Sequence, residues 1–266
     1  MILPRSILFV PGDRPDRFDK AAASGADRVL LDLEDAVAPA HKSSARDAVQ
    51  AWLKSGRRVL VRINGCDSPW HDDDMHLLDE LPGVGVMLPK AEPESMAAVA
   101  SRIGAGRELY ALIESVRGVL GMRGIAATPG VTRLAFGNID FGVDAGITPG
   151  DDEAELAVVR TAFVLESRAA GLPAPVDGVS LGTDTTALLA SQVARGRRSG
   201  FGGKLCIHPR QVSTVNLAFS PSEQELRWAR GVLDAFEASA GAVVAHDGQM
   251  IDRPVAERAR RILAQS

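Results

Sequence analysis

The sequence predicts an α/β chain folded as a (β/α)8 TIM barrel with a helical extension at its C-terminal end. Three observations carry that prediction. Eight short apolar runs have the length of strands, a helix-forming segment follows each of them, and the 266 residues suffice for one such barrel. Short, nearly continuous Val/Leu/Ile runs are what parallel strands covered on both faces require.

The strand candidates are, in order, SILFV (6–10), RVLLDL (28–33), RVLVRIN (58–64), VGVMLPK (84–90), ELYALIES (108–115), RLAFGN (133–138), PVDGVS (175–180) and GKLCIHP (203–209). The intervening segments RFDKAAASG, SSARDAVQAWLKSG, DMHLLDELP, PESMAAVASRIG, VRGVLGMRGIAA, EAELAVVRTAFVLESRAAG, DTTALLASQVARGRRSG and PRQVSTVNLAF are amphipathic or Ala-rich. Several stop at glycine, the usual residue just past a helix end. Eight β-then-α units in succession favour a closed barrel over an open doubly wound sheet. They occupy residues 1–219. Residues 220–266 form the extension: a helix in SEQELRWARGVLDAFEASAG, a strand-like AVVAH, and a terminal helix beginning DRPVAERARRILAQS. The Gly-rich SGFGGK (199–204) reads as a loop over the site.

Composition narrows the function. Hydrophobic residues make up 45%, charged residues 24%, and the net charge is −4, which argues against a nucleic-acid-binding surface. Neither a charged-then-apolar leader nor an apolar run near membrane length stands out, so the expected location is the cytoplasm. Cys66 and Cys206 belong to no CxxC pattern and are expected as free thiols.

Catalytic groups in such barrels project from the C-terminal ends of the strands. Those ends are polar here. The first offers Phe9, Gly12, Arg14 and Lys20; the second Asp32, Glu34 and Asp35; the third Arg62 and Asn64. Lys90 follows the fourth, Glu114 and Ser115 the fifth, Asn138, Asp140 and Asp144 the sixth, and His208 the eighth. Acids crowded at a buried strand end need a compensating metal ion, arginine or helix N-terminus, unless they only form a turn with an acidic cap. Glu114 and Asp140 can supply two oxygens to one Mg²⁺, which takes few carboxylates and keeps several waters. Zinc suits the chain less, because only His208 of five histidines lies at a strand end. Arg62 can pair with Glu34 or Asp35, or present its planar fork to a substrate carboxylate or oxyanion.

The ordered set RSILFVPGDRPDRFDKA, ADRVLLDLEDAVAPAHKSSAR, VRIN, LPKAE, LIES, FGNIDFGVD, GKLCIHPRQV and GQMIDRPV resembles the HpcH/HpaI aldolase/citrate lyase family. That family holds the citrate lyase beta subunits, the malyl-CoA and citramalyl-CoA lyases, and 4-hydroxy-2-oxoheptanedioate-type aldolases. The resemblance covers nearly the whole chain. It implies a carbon–carbon lyase that splits a 3-hydroxyacyl-CoA thioester into an acyl-CoA and a 2-oxo acid, with Mg²⁺ or Mn²⁺ on Glu114 and Asp140. Arg62 would contact the oxo-acid carbonyl or carboxylate, while Glu34 and Asp35 hold metal-bound waters and position Arg62. Arg14 and Lys20 would contact the CoA phosphates, Phe9 would line the thioester channel, and the Ile207 and His208 backbone would lie close to the substrate. Asp252 would be the acid–base group, delivered from a neighbouring subunit of a homo-oligomer, a trimer or hexamer. Two alternatives stay open: a metal aldolase acting on free 4-hydroxy-2-oxo acids without CoA, and a subunit that works only on a thioester carried by an acyl carrier protein. For several of these residues a structural role also suffices. DRPDRFDK reads as a solvated helix start, Phe9 as a core aromatic, and Asp252 before Arg253 and Pro254 as a helix cap.

Overall fold

A computed structural model describes residues 3–54, 56, 59–182, 187–239, 241–246 and 248–265. Eight parallel strands close into a barrel in sequence order: β1 (Ser6–Pro11), β2 (Arg28–Asp32), β3 (Leu60–Arg62), β4 (Gly85–Leu88), β5 (Leu109–Ile113), β6 (Arg133–Phe136), β7 (Val176–Asp177) and β8 (Gly203–Cys206), with β8 pairing back onto β1. Seven lie within the predicted apolar runs, and β1 extends one residue past its run, to Pro11. Side chains alternate across a strand, so one parity points into the barrel. That parity is filled by Ile7, Leu30, Leu60, Met87, Tyr110, Leu112, Ala135, Val176 and Leu205, which form one buried cluster.

The chain divides into two compact units, Leu3–Asn216 and the residues from Leu217 onward. The division falls inside helix Pro209–Phe219, three residues before the boundary that the sequence suggests. The second unit has its own small core, in which Ala229 and Val232 of helix Glu223–Ala238 meet Ile251 and Ala259. Its two helices flank an antiparallel hairpin, β9 (Val244–His246) and β10 (Gln249–Ile251). The second hairpin strand was not expected. Three residues of mixed polarity, QMI, carry too short a pattern to announce it. Asp252 caps helix Arg253–Leu263, its side chain accepting from the Val255 N–H at 3.1 Å, as expected for Asp ahead of a first-turn proline.

Three departures have local causes. VRGVLGMRGIAA forms two short helices, Val116–Leu120 and Met122–Ala127, joined at Gly121, where a Cβ would meet the Pro93 ring at 2.8 Å. An unpredicted helix, Asn138–Ala145, follows β6, so Asp140 lies in a helical first turn and not on a strand. SGFGGK lies at the start of β8, the end away from the mouth, and is no loop over the site. Gly200 (φ 100°) ends helix Ala187–Ser199, and at Gly203 a Cβ would press 2.6 Å from the Arg5 carbonyl. The first residues of DTTALLASQVARGRRSG, 184–186, lie outside the described residues. No described helix is long and apolar enough to cross a membrane.

Candidate active site

The inward parity that carries Leu30, Leu60 and Leu112 continues to Asp32, Arg62 and Glu114 at the strand ends. The barrel's top layer is therefore ionic where the layers below are apolar. In the β2–β3 register Asp32 stands directly beside Arg62. The Arg62 Nε and Nη2 groups donate to the two Asp32 oxygens at 2.7 and 2.6 Å, a bidentate pair. Nη1 lies 2.9 Å from Glu34 Oε2, an ion-pair contact off the line of a hydrogen bond. The guanidinium also rests 5.0 Å from the centroid of the Phe9 ring. Two facing carboxylates hold the Arg62 pKa above its usual value despite burial. Its end edge keeps an N–H on each Nη for a ligand.

The loop after β2 sorts the three acids of LLDLEDA. Asp32 accepts from Arg62 and from the backbone N–H groups of Glu34 and Ala36, closing the turn. Glu34 is buried and bridges Arg62 to Lys90, whose ammonium donates to it at 2.7 Å. Burial pushes the Glu34 carboxyl up, with Arg62 and Lys90 opposing. Asp35 is exposed and makes no hydrogen bond among those described. Asp32, for which the sequence suggested no separate role, thus takes the contact with Arg62 that was expected of Asp35. The signal was present only in the register: Asp32 and Arg62 occupy the same level of neighbouring strands.

Lys90 has φ 47°, the left-handed region, which costs a non-glycine residue about 1 kcal/mol or more. The turn lets its two ends reach different acids. Its N–H donates to Glu114 Oε1 at 2.8 Å while its ammonium holds Glu34. Glu114 is 3% exposed and has no side-chain cation at bonding distance among the described residues. Burial pushes its pKa up to about 8, with Arg62 opposing and the charges of Glu34 and Asp140 adding. The carboxyl fits because β6 continues into Gly137, where a Cβ would lie 2.5 Å from Glu114 Oε2. Gly137→Ala is therefore expected to destabilise the protein by about 1–3 kcal/mol, read as a lower denaturant midpoint, by forcing the carboxyl from its slot.

Asp32, Arg62, Glu114 and Gly137 face one cavity of about 860 Å³. Phe9, Arg14, Lys20, Arg62, Glu114, Asp140, Ile207 and His208 all line it, and so does Arg17, which sequence reasoning passed over. Arg14 is exposed and engaged by Asp16, at 3.0 and 2.9 Å. His208 Nδ1 accepts from the Arg210 N–H at 3.2 Å, a turn contact. Asp144 accepts from the Val116 N–H at 2.7 Å and so ties the end of helix Asn138–Ala145 to the start of helix Val116–Leu120. A buried carboxyl without a contacting cation, beside a second carboxylate in the same cavity, suits a hard divalent ion that takes one or two protein oxygens. No described cluster of three His, Cys, Asp or Glu side chains offers a full cage of zinc type.

Comparison with known proteins agrees with this geometry. The family model described as HpcH/HpaI aldolase/citrate lyase matches residues 5–209. A citrate lyase subunit beta-like protein of Mycobacterium tuberculosis is 37% identical, over 97% of this chain and 94% of its own. A (3S)-malyl-CoA thioesterase of Cereibacter sphaeroides is 32% identical, over 98% and 94%. The crystal structure of CitE from M. tuberculosis in complex with magnesium, acetoacetate and coenzyme A superposes with a TM-score of 0.85 at 35% identity, covering 99% of this chain and 98% of that one. With a matching barrel, a matching order of motifs and relatives over nearly its full length, the chain belongs to the HpcH/HpaI aldolase/citrate lyase family.

Proposed function

We propose that the chain reversibly cleaves a 3-hydroxyacyl-CoA thioester into an acyl-CoA and a 2-oxo acid. The observation that carries this reading is the buried Glu114 carboxyl beside Arg62, with no side-chain cation at bonding distance among the described residues, in a cavity whose wall also presents Arg14, Arg17 and Lys20. The basic wall suits the phosphates of a CoA moiety, and the ionic layer suits a small hydroxy acid. A related structure with magnesium, acetoacetate and coenzyme A bound supports the same assignment.

Glu114 and Asp140 would hold magnesium, or manganese, whose positive charge would face the oxygens of the hydroxy acid. Arg62, fixed by Asp32 and Glu34, would donate from its free edge to the substrate oxygen that turns from hydroxyl to carbonyl as the carbon–carbon bond breaks. Phe9 and the Ile207–His208 backbone would border the thioester arm. The hydroxyl gives up its proton to water as the carbon–carbon bond breaks and the departing thioester enolate takes one at carbon; Asp252 from a neighbouring copy would give it, which would make a trimer or hexamer part of the reaction.

The test is a panel of malyl-CoA, citramalyl-CoA and citryl-CoA with magnesium, following released 2-oxo acid. Release from one of them, lost on chelation of the metal, is the expected result. Free hydroxy acid and CoA in its place would identify thioester hydrolysis. Silence with no CoA binding would point to a metal aldolase on free 4-hydroxy-2-oxo acids, and turnover only of a protein-borne thioester to a subunit served by an acyl carrier protein.

A further inference from the structure

Behind the ionic layer lies a buried cation with no part in the proposed reaction. Lys42, at the start of helix Lys42–Leu53, is 5% exposed. Its ammonium donates to the carbonyl oxygens of Leu33 (2.7 Å) and Glu34 (2.8 Å) and to Asn64 Oδ1 (2.8 Å), three acceptors for three N–H groups. The Trp70 ring covers it at 5.0 Å from the centroid. None of these acceptors carries a formal charge. Burial pulls the lysine pKa down, and the carboxylates of Asp32, Asp74, Glu34 and Asp35 oppose that pull. Burying an ammonium costs several kcal/mol, so its place calls for a reason beyond pairing.

The two carbonyls supply one. They belong to the peptide groups on either side of the Glu34 Cα, so one ammonium pins both planes that set the direction of the Glu34 side chain. Asn64 extends the restraint. Its Nδ2 donates to the Leu33 carbonyl (2.9 Å) and to Asp74 Oδ2 (2.6 Å), and Asp74 in turn accepts from Arg46 at 3.2 Å. The loop that carries Glu34 is thereby fastened to two helices of the outer layer.

We infer that Lys42 is a positioning residue, which aims the Glu34 carboxylate at Arg62 and Lys90 and so fixes the guanidinium that faces the substrate. The kinetic side of this inference rests on the proposed lyase reading; the structural side rests on the fold alone. Lys42→Met keeps the stem and removes the charge and donors. On the thioester that the parent chain cleaves, kcat is expected to fall about tenfold at unchanged KM. In a Glu34→Gln background the same change is expected to add nothing. The same double-mutant cycle read by denaturant unfolding needs no substrate. There, the combined midpoint shift is expected to be smaller than the sum of the single shifts. Additive effects in the unfolding cycle would overturn the inference, as would a parental kcat for Lys42→Met. Lys42→Gln, which keeps two N–H donors without the charge, serves the cycle if Lys42→Met does not fold. A chain silent on every thioester defeats the lyase reading and leaves the unfolding cycle to decide. Turnover with additive effects defeats the positioning role and leaves the lyase reading standing.

Discussion

Glu114→Gln is expected to abolish magnesium-dependent turnover and, in the metal-free protein, to remove a fall of stability with rising pH. The second effect follows from proton linkage. Burial raises the Glu114 carboxyl from 4.5 to about 8, so the native state keeps a proton that the unfolded chain releases. Between those values the native state binds more protons than the unfolded one, and stability declines as pH rises. The contribution is fully present below the unfolded pKa and lost as pH passes through about 8. A shift of that size corresponds to a few kcal/mol, on the scale of about 1.4 kcal/mol per pKa unit. Denaturant unfolding in chelator from about pH 5 to about pH 9 checks it, the glutamine variant giving the flatter profile. Added magnesium is expected to restore stability at the alkaline end in the parent chain and not in Glu114→Gln, as binding to the native state alone requires. Equal profiles for the two proteins would mean that Glu114 is ionised without metal.

Asp32→Ala is expected to cost about 3–5 kcal/mol of stability, the usual consequence of removing one partner from a buried ion pair. Asp32 is 1% exposed and receives two hydrogen bonds from Arg62 and two from the backbone of its own turn. Its loss leaves Arg62 with Glu34 alone and opens the loop that carries Glu34. Turnover should fall with stability, since the guanidinium would be free to swing. Asp35→Ala, three positions further along at an exposed site, is expected to change stability by no more than about 0.5 kcal/mol. Denaturant midpoints of the two variants, measured side by side, check the contrast. Equal losses would show that the two acids share the burden of holding Arg62.

Much of the architecture was legible in the chain because burial on both faces leaves a plain mark. Each barrel strand coincides with an apolar run to within one residue, and a charged residue closing such a run, as Arg62 and Glu114 do, has few places to point except the mouth. Helix Asn138–Ala145 was hidden, because it is short, only Gly137 separates it from the strand, and that N-cap position carries no capping side chain. The second hairpin strand was too short to show a period. The family resemblance named a set of site residues of which those in the barrel unit meet at one cavity, with Glu34 and Asp35 beside or outside its wall; Asp252 belongs to the second unit.

By itself the sequence determined the fold class, the order of its units and the residue types at the barrel mouth, because hydrophobic burial and strand periodicity act locally and repeat. Only the tertiary structure decided which acid serves which cation. Asp32, Glu34 and Asp35 are near-equivalent in the chain, yet register sets the first against Arg62, a pinned turn brings the second to Arg62 and Lys90, and the third is left to water. Gly137 gains its meaning from a neighbour 23 residues away, through a slot for a carboxyl, and Lys42 from neighbours eight and nine residues away, through a clamp on two peptide planes. Such choices depend on distances between separate strands and loops, and those distances exist only once the barrel has closed.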